Sequence, residues 1–268
     1  MASPSVIAQR IIDKLGISNP QDLENLELIA WERGALVLDD KLKGAEARLA
    51  AVSQRAIITV SSAVKDLRRR RFSIAHELGH WEMDRYASEL SVCTTDDLNN
   101  WMPQSSKPDR EQQANEFAAA LLLPDQFFAP LCQEHDPSFE LVSDLADKFN
   151  VSLTATAMRY VRFTIEPCAM VFSKDGLVKW FNGSKQFNDL GAFVEVRVKP
   201  DPSSLAASFF QGRSISSSQR NVSASVLLAP GHYRKNAKIK EQALAMPNYN
   251  SVLTLLWIDE DIEDEDDL

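Results

Sequence analysis

Residues 67–86 read LRRRRFSIAHELGHWEMDRY, and the helical pattern of this stretch runs from Leu67 to about Tyr86. The chain has four histidines, and two of them, His76 and His80, stand four positions apart here. Four residues correspond to about 6 Å of helix rise and nearly one turn, so both imidazoles project from one face. They can therefore bind one ion at the ~2.0–2.1 Å that zinc–nitrogen bonds require.

Glu77 follows the first histidine and is rotated off the face that His76 and His80 share. A carboxylate at this position is poorly placed to bind the ion, but it can take a proton from an attacking water and return it to a leaving amine. The stretch therefore predicts metal-assisted hydrolysis with Glu77 as the base. The alternative is a chance match on an ordinary amphipathic helix, which would leave buried histidines in need of other partners.

A catalytic zinc ion has three protein ligands and one open position, so a third ligand is required. Asp84 lies on the face of the two histidines, but it is about 12 Å of helix rise from His76 and too far to share their ion. It is a candidate for orienting a histidine from outside the metal's own ligand set.

The better third ligand is Glu111, on a helix predicted from Pro108 to Leu123. Glu111 lies on the buried stripe of this helix, three residues before Ala114, and an inward carboxylate must be paired, protonated or bound to metal. Asn115, one turn later, is a candidate to brace a ligand; a helix-packing amide is an equally good interpretation. The site prediction is one Zn²⁺ per chain held by His76, His80 and Glu111.

The fold class predicted from the whole chain is α+β, with a mainly helical first part and a β-rich second part. Helices are expected first, with two short strands before the histidine helix and a boundary near residue 166. The polar segment Ser88–Lys107 is interpreted as a loop or gate over the metal. The predicted helices are 5–15, 22–33, 67–86, 108–123, 140–149 and 153–163, and the predicted strands are 35–39, 55–61, 169–173, 177–182, 193–198, 222–228 and 251–258.

Composition narrows the functional class. The formal charge of −9 disfavours a large nonspecific nucleic-acid surface. The three cysteines are odd in number and widely spaced, which fits a reducing compartment rather than a disulfide framework. No stretch reaches the ~18 apolar residues needed to cross a bilayer, and the N-terminus lacks a basic start followed by an apolar run. A cytoplasmic protein with no membrane association is expected. Residues 259–268 are almost wholly acidic and are expected to form a solvated tail.

Two segments together resemble one known family. RRFSIAHELGH at residues 70–80 and EQQANEFAAALLLP at 111–124 are similar to the ImmA/IrrE metallopeptidases, and the resemblance extends through LADKFNVS at 145–152 to AMR at 157–159. It implies a zincin-like core at 1–166 that includes a helix-turn-helix-like segment at 140–163. It also implies zinc bound by His76, His80 and Glu111, with Glu77 as catalytic base and the strand 55–61 pairing with substrate at a sheet edge.

The resemblance further implies a substrate and a second domain. Members of this family cleave helix-turn-helix transcriptional repressors in response to stress or a mobile-element signal, so a repressor is the expected protein partner. Some members carry a C-terminal sensor-like domain of the GAF type, and the strands at 167–258 are interpreted as such a module. The oligomeric state is not predicted.

Other readings stay open. The alternative to a peptidase is a noncatalytic, metal-containing protein that acts in regulation or in DNA-binding interactions. Direct nucleic-acid binding is disfavoured because the second helix of the 140–163 pair offers Arg159 and Arg162 as its cations. The basic run Arg68–Arg71 is interpreted as a solvated face, with substrate contact as the alternative. The group that stabilises the oxyanion is unknown, with Tyr86, Tyr160 and Arg159 as unranked candidates.

Overall fold

The computed structural model describes residues 2–83, 90–94, 109–232 and 237–259. The chain folds as two compact units, of which the first comprises residues 1–128 and 146–152 and the second comprises residues 129–145 and 153–268. Helices and two sheets are present, which makes the fold mixed α+β as predicted. Among the described residues, no helix has both the length and the apolar character needed to span a bilayer.

The first unit is built around one buried helix. Its helices α1, α2, α3, α4 and α5 run Pro4–Leu15, Leu26–Glu32, Leu67–Met83, Arg110–Leu122 and Asp125–Phe128. Every residue of α3 from Arg71 to Trp81 is buried, because α1, α2 and α4 pack around it and the sheet packs on its remaining side. The side-chain oxygen of Asp66 accepts a hydrogen bond from the Arg69 N–H at 2.9 Å and caps the helix start. A capping box between Asp109 and Gln112 begins α4.

The sheet of the first unit has the strand order β1-β3-β2-β4, with strands Ala35–Asp40 (β1), Ala47–Val52 (β2), Arg55–Ser61 (β3) and Leu90–Cys93 (β4). Strand β3 pairs in parallel with β1 and antiparallel with β2. The expectation that residues 55–61 pair with substrate at a sheet edge is therefore wrong, because both sides of β3 are already hydrogen-bonded. Within the described residues the edges of this sheet are β1 and β4.

Alternation along these strands separates a buried face from an exposed one. Leu49, Ile58 and Val60 are buried on the face that α3 covers, whereas Leu36 and Ile57 lie on the opposite face and are exposed. Contact with this face and with three helices explains why α3 is buried all round. Its histidines therefore lie inside the unit rather than on a surface.

The second unit contains a five-stranded antiparallel sheet with the order β6-β5-β9-β8-β7. Strand β9 is central, and all seven of its residues are buried. The strands β5 to β9 run Cys168–Lys174, Leu177–Gly183, Arg220–Ser223, Lys238–Met246 and Ser251–Trp257, and the helices α7, α8 and α9 run Leu153–Phe163, Lys185–Asp189 and Leu205–Phe210. Helix α6, Phe139–Phe149, spans the sequence limit between the two units.

The predicted helices at 5–15, 140–149 and 153–163 and the strands at 35–39, 55–61, 169–173, 177–182 and 251–258 are present with nearly the predicted bounds. The helix predicted at 22–33 is broken, because a 3₁₀ turn at Pro20–Leu23 precedes Asn25, whose side chain caps α2. The strand predicted at 193–198 is wrong. Instead, the Arg197 N–H donates to the backbone oxygen of Val178 at 2.7 Å, and the Val178 N–H donates to that of Val198 at 2.9 Å. The strand predicted at 222–228 ends at Ser223 and continues as a 3₁₀ turn. Strands β2, β4 and β8 and helices α5, α8 and α9 were not predicted, and β4 lies in the segment interpreted as a loop or gate.

Candidate metal centre

The arginine run at the start of α3 anchors the helix within the first unit. Arg71 is buried and donates to the backbone oxygens of Leu23 and Glu24 at 3.1 and 2.8 Å. The other three are partly exposed and each pairs with a carboxylate: Arg68 with Asp147, Arg69 with Glu46, and Arg70 with Glu27 and Asp39. The interpretation of this run as a solvated face is therefore wrong. The guanidinium groups fix where α3 begins, and through it where the histidines lie.

Three side chains on two helices converge in the middle of the first unit. His76 and His80 lie on α3, and Glu111 lies on the first turn of α4. The Oε2 atom of Glu111 is 3.0 Å from Nε2 of His76 and 3.2 Å from Nε2 of His80, and the two Nε2 atoms are 3.1 Å apart. Among the described residues, this cluster alone brings together three or more side chains of the types that bind metals.

The spacing of these three atoms fits zinc. In tetrahedral coordination with bonds of about 2.0–2.1 Å, neighbouring ligand atoms are about 3.3–3.4 Å apart. The observed separations of 3.0–3.2 Å are close to this value. Two imidazole nitrogens and one carboxylate oxygen are also a donor set found at catalytic zinc ions. The residues present therefore fit the metal.

Asn115 fixes the tautomer of His76. Its Oδ1 lies 2.9 Å from Nδ1 of His76, and both groups are buried. Because an amide oxygen only accepts, Nδ1 carries the proton and Nε2 keeps its lone pair for the cluster. Hydrogen bonds of this kind to the second ring nitrogen orient metal-binding histidines and raise their basicity. Of the two interpretations of Asn115, the structure favours the one that braces a ligand.

The local electrostatics favour the charge states that metal binding needs at His76 and Glu111, whereas the raised pKa of His80 favours its protonated ring. Burial lowers the pKa of His76 and outweighs its hydrogen bond to Glu111, so the ring is neutral near pH 7. Burial by itself raises the pKa of Glu111, but the hydrogen bonds and charges of the two histidines hold it far below its usual value. Burial also acts to lower the pKa of His80, yet the hydrogen bond and charge of Glu111 and the charge of Glu77 raise it overall. An anionic Glu111 beside a neutral His76 is the state that binds metal.

Glu77 lies beside this cluster without belonging to it. Its side chain is fully buried, and its charge acts on His80 strongly enough to contribute to the raised pKa of that ring. Glu77 follows His76 on the same helix and is not part of the group that His76, His80 and Glu111 form. A buried carboxylate at the margin of a metal cluster is suited to holding and passing a proton.

Gly79 explains how two ligand-bearing helices approach each other so closely. A Cβ at this position would lie 2.9 Å from Cδ1 of Phe117 and 3.2 Å from its Cβ and Cγ, so the ring occupies the space that any larger residue would need. Phe117 is on α4, two turns after Glu111, and is fully buried. Sequence reasoning missed this role. The signal available was a glycine inside a helix, which costs about 1 kcal/mol unless packing requires it.

The far end of α3 is also fixed by contacts that sequence reasoning missed. Arg33 and Glu82 form a bidentate salt bridge with distances of 2.8 and 3.0 Å, and the carboxylate is almost fully buried. The indole N–H of Trp81 donates to the backbone oxygen of Arg33 at 2.8 Å. Glu116 on α4 accepts a hydrogen bond from Ser5 on α1 at 2.8 Å. No short-range pattern in the sequence marks any of these pairs, since each joins residues far apart in the chain.

The remaining predicted site residues are placed as follows. Asp84 and Tyr86 lie outside the described residues. Of the proposed gate at 88–107, only residues 90–94 are described, and Leu90–Cys93 form β4. Arg159 and Tyr160 are buried on α7 in the second unit. Burial raises the pKa of the Tyr160 hydroxyl well above its usual range. Arg159 lies over the ring of Phe163, with 5.0 Å from the guanidinium carbon to the ring centroid.

Comparisons with known proteins relate part of the chain to a peptidase family and the whole fold to a solved structure. Residues 32–160 match a peptidase family described as the IrrE N-terminal-like domain. This span contains the cluster residues His76, His80 and Glu111 and also Glu77. A solved structure titled "Mycobacterium tuberculosis transcriptional regulator" has a similar fold, with a TM-score of 0.57 and 16% sequence identity over 95% of this chain and 87% of that one. At this identity the likeness concerns the fold alone. A search of curated proteins found no match.

Proposed function

Residues 32–160 of this chain belong to the IrrE N-terminal-like domain family, and from that premise we propose that the protein is a zinc-dependent, site-specific endopeptidase. The observation that carries the proposal is the triangle of His76 Nε2, His80 Nε2 and Glu111 Oε2, with separations of 3.0–3.2 Å. The proposed core is zincin-like, with one Zn²⁺ per chain. His76, His80 and Glu111 would hold the ion.

Each residue of the site has a distinct task in this proposal. When bound, zinc would supply Lewis-acid polarisation of the scissile carbonyl and lower the pKa of water. His76 and His80 present Nε2, and Asn115 holds the ring of His76 in the required tautomer through its 2.9 Å hydrogen bond. Glu77 accepts a proton from the attacking water and delivers it to the leaving amine. Its burial keeps bulk water from competing for that proton.

The proposed substrate is a helix-turn-helix transcriptional repressor, cut in response to stress or a mobile-element signal. The support for this part is family membership together with a physical argument: a peptidase in the cytoplasm must restrict its action by narrow recognition or by gating. A reducing compartment agrees with Cys132 and Cys168, which are buried free thiols. Residues 167–258 are proposed to be a sensor-like module of the GAF type that modulates the peptidase.

A two-part experiment tests the proposal. Metal analysis after dialysis against a mild chelator should find one zinc per chain in the wild type and strongly reduced zinc in His76→Ala and Glu111→Ala. The purified protein should then be incubated with zinc and the repressor encoded nearest its gene, with products read by intact mass. A discrete cut should appear, and Glu77→Gln should slow it by about 10²- to 10⁴-fold while retaining zinc.

Glu116→Gln is the matched control, because it makes the same glutamate-to-glutamine change at a carboxylate on α4 that is outside the cluster and accepts a hydrogen bond from Ser5. It should cut like the wild type. Degradation of unrelated unfolded proteins without cleavage of the repressor would indicate a general peptidase instead. Full zinc occupancy with no hydrolysis of any protein would favour the noncatalytic regulatory alternative.

Limited proteolysis tests the proposed division at residue 166, which falls inside the second compact unit at 129–145 and 153–268. If residues 1–166 fold and bind zinc on their own, the second part is a separable module. If that fragment is insoluble or binds no zinc, the two parts form one structural unit.

A further inference from the structure

The second unit contains a cavity of about 510 Å³ over one face of its sheet. The apolar core on this face is divided into two clusters. One contains Val171 and Leu256, and the other contains Ala243 and Val252. The cavity lies over the floor between the two clusters. All of its lining residues belong to the second unit, so its chemistry is separate from that of the zinc site.

Strand register shows which side chains form the floor. Thr254 on the central strand β9 lies opposite Val171 on one side and Ala243 on the other, so these three share a face. On its own strand Thr254 stands between Val252 and Leu256, one from each apolar cluster. Ser173 is two residues after Val171 and therefore shares the same face. A short polar patch thus lies at the centre of an otherwise apolar floor.

The hydroxyl of Thr254 is the unusual group in this floor. The residue is 3% exposed, and among the described residues its Oγ1 has no hydrogen-bond partner. Buried hydroxyls in native proteins nearly always have a partner, so one that lacks it in the middle of a central strand requires a reason. Valine would fill the same space with better strand propensity and no polar atom. Thr254 lines the cavity but its Oγ1 is buried, so a group inside the cavity becomes the partner of this hydroxyl when the side chain rotates about χ1.

The buried lining also limits the charge of such a group. Its carboxylate, Glu241, is already satisfied: one oxygen accepts from the Leu205 N–H at 2.8 Å, and the other from Arg220 at 2.6 and 2.9 Å. The ion pair leaves no unmatched charge in the buried part of the lining. The buried wall also includes the aliphatic residues Val194, Ala206 and Leu228, whereas the other charged lining residues, Glu195, Lys199 and Asp201, are exposed. An ion placed against the buried wall would lose its hydration there without gaining a partner of opposite charge.

We propose that this cavity binds a neutral small molecule with a compact apolar body and one hydroxyl or carbonyl group, which hydrogen-bonds the Thr254 hydroxyl. The volume lies within the range of small-molecule sites, which combine apolar walls with a few placed polar groups. The site is distinct from the zinc cluster and requires no catalytic activity.

The test uses the full-length chain and three probes of one shape. These are 2-naphthol, which is neutral with one hydroxyl; naphthalene, which lacks it; and 2-naphthoate, which is charged. Calorimetric titration should show one saturable site per chain for 2-naphthol. The hydroxyl should improve affinity over naphthalene by about threefold to tenfold, the usual effect of one neutral hydrogen bond. The charged 2-naphthoate should bind more weakly than either.

Three variants locate the site. Thr254→Val should remove the preference for 2-naphthol over naphthalene, whereas Ser251→Ala should keep it, because Ser251 carries a buried hydroxyl on the same strand but does not line the cavity. Ala206→Phe should fill the cavity and abolish binding of both neutral probes, with circular dichroism and thermal melting confirming that each variant is folded. Glu77→Gln should bind all probes like the wild type, which separates this result from the peptidase assay.

The proposal is overturned by any of three results. The first is that the wild type shows no saturable binding of either neutral probe. The second is that folded Ala206→Phe binds both probes unchanged. The third is that Thr254→Val keeps the full preference for 2-naphthol. A loss of peptidase activity in Glu77→Gln with naphthol binding intact supports both proposals, since the two sites share no residue.

Discussion

Replacing Gly79 with alanine should open the metal centre without touching a ligand. A methyl group at this position would lie 2.9 Å from Cδ1 of Phe117 and 3.2 Å from two further ring or Cβ atoms, whereas carbon atoms in contact prefer about 3.5–4.0 Å. Phe117 is fully buried, so neighbouring groups enclose its ring. Relief therefore requires α3 and α4 to separate by about 0.5 Å or more.

Two opposing terms set the effect on stability. Overpacking of a filled core costs about 1–3 kcal/mol, and replacing glycine by alanine within a helix gains about 1 kcal/mol. The free energy of unfolding should therefore fall by about 0–2 kcal/mol. The loss of zinc affinity should exceed what the loss of stability suggests. Glu111 moves with α4, whereas His76 and His80 remain on α3. Functional constellations must hold within about 0.5 Å, so we expect zinc affinity to fall by about tenfold or more.

Competition with a fluorescent chelator measures the affinity, and denaturant unfolding of the metal-free protein measures the stability. Phe117→Leu in the Gly79→Ala background should restore part of the affinity, because the smaller side chain returns space between the helices. The double-mutant cycle then isolates the contact from the separate costs of the two changes. If Gly79→Ala binds zinc as tightly as the wild type, close approach of these helices does not determine ligand geometry.

Three further predictions concern different parts of the chain. Asn115→Ala should lower zinc affinity by about 10- to 100-fold and Asn115→Asp by less, since aspartate still accepts the proton of His76; equal affinities in chelator competition would contradict the bracing role. Thr254→Val should raise the free energy of unfolding of the ligand-free protein by about 1 kcal/mol in chemical denaturation, because an unsatisfied buried hydroxyl costs about 1–3 kcal/mol. A lower free energy of unfolding than that of the wild type would show that the hydroxyl has a partner in the fold. Burial raises the pKa of Cys132 from 9.0 to about 12, so the unfolded chain loses this proton first and stability should fall as pH rises from 9 towards 12. The wild type should therefore lose stability relative to Cys132→Ala by at most about 1.4 kcal/mol per pH unit, and parallel pH profiles for the two proteins would show that the thiol is accessible to water.

Local sequence patterns were sufficient for much of the fold and for the central residues of the site. The spacing of His76 and His80 depends only on helix geometry, and the choice of Glu111 depends only on helical periodicity, although its side chain is 29% exposed rather than buried. The structure brings these three side chains together, with Asn115 against His76. Helices with strong periodicity, such as Leu153–Phe163, have the bounds that the pattern predicts. These features are local because each is set by residues within a few turns of one another.

Properties that depend on partners distant in the chain were decided by the tertiary structure alone. Strand order cannot be read from the residues of β3, which is interior only because β1 and β2 pair on either side of it. The arginines at 68–71 look like a solvated run, but carboxylates of other elements pair with the first three and backbone oxygens accept from Arg71. The requirement for glycine at position 79 exists only because Phe117 packs there, and the isolation of the Thr254 hydroxyl exists only because strand register surrounds it with aliphatic neighbours. The sequence by itself determined which residues could bind the metal and pass the proton. Tertiary packing decided how closely they approach, because that distance is set by contacts between helices whose residues are far apart along the chain.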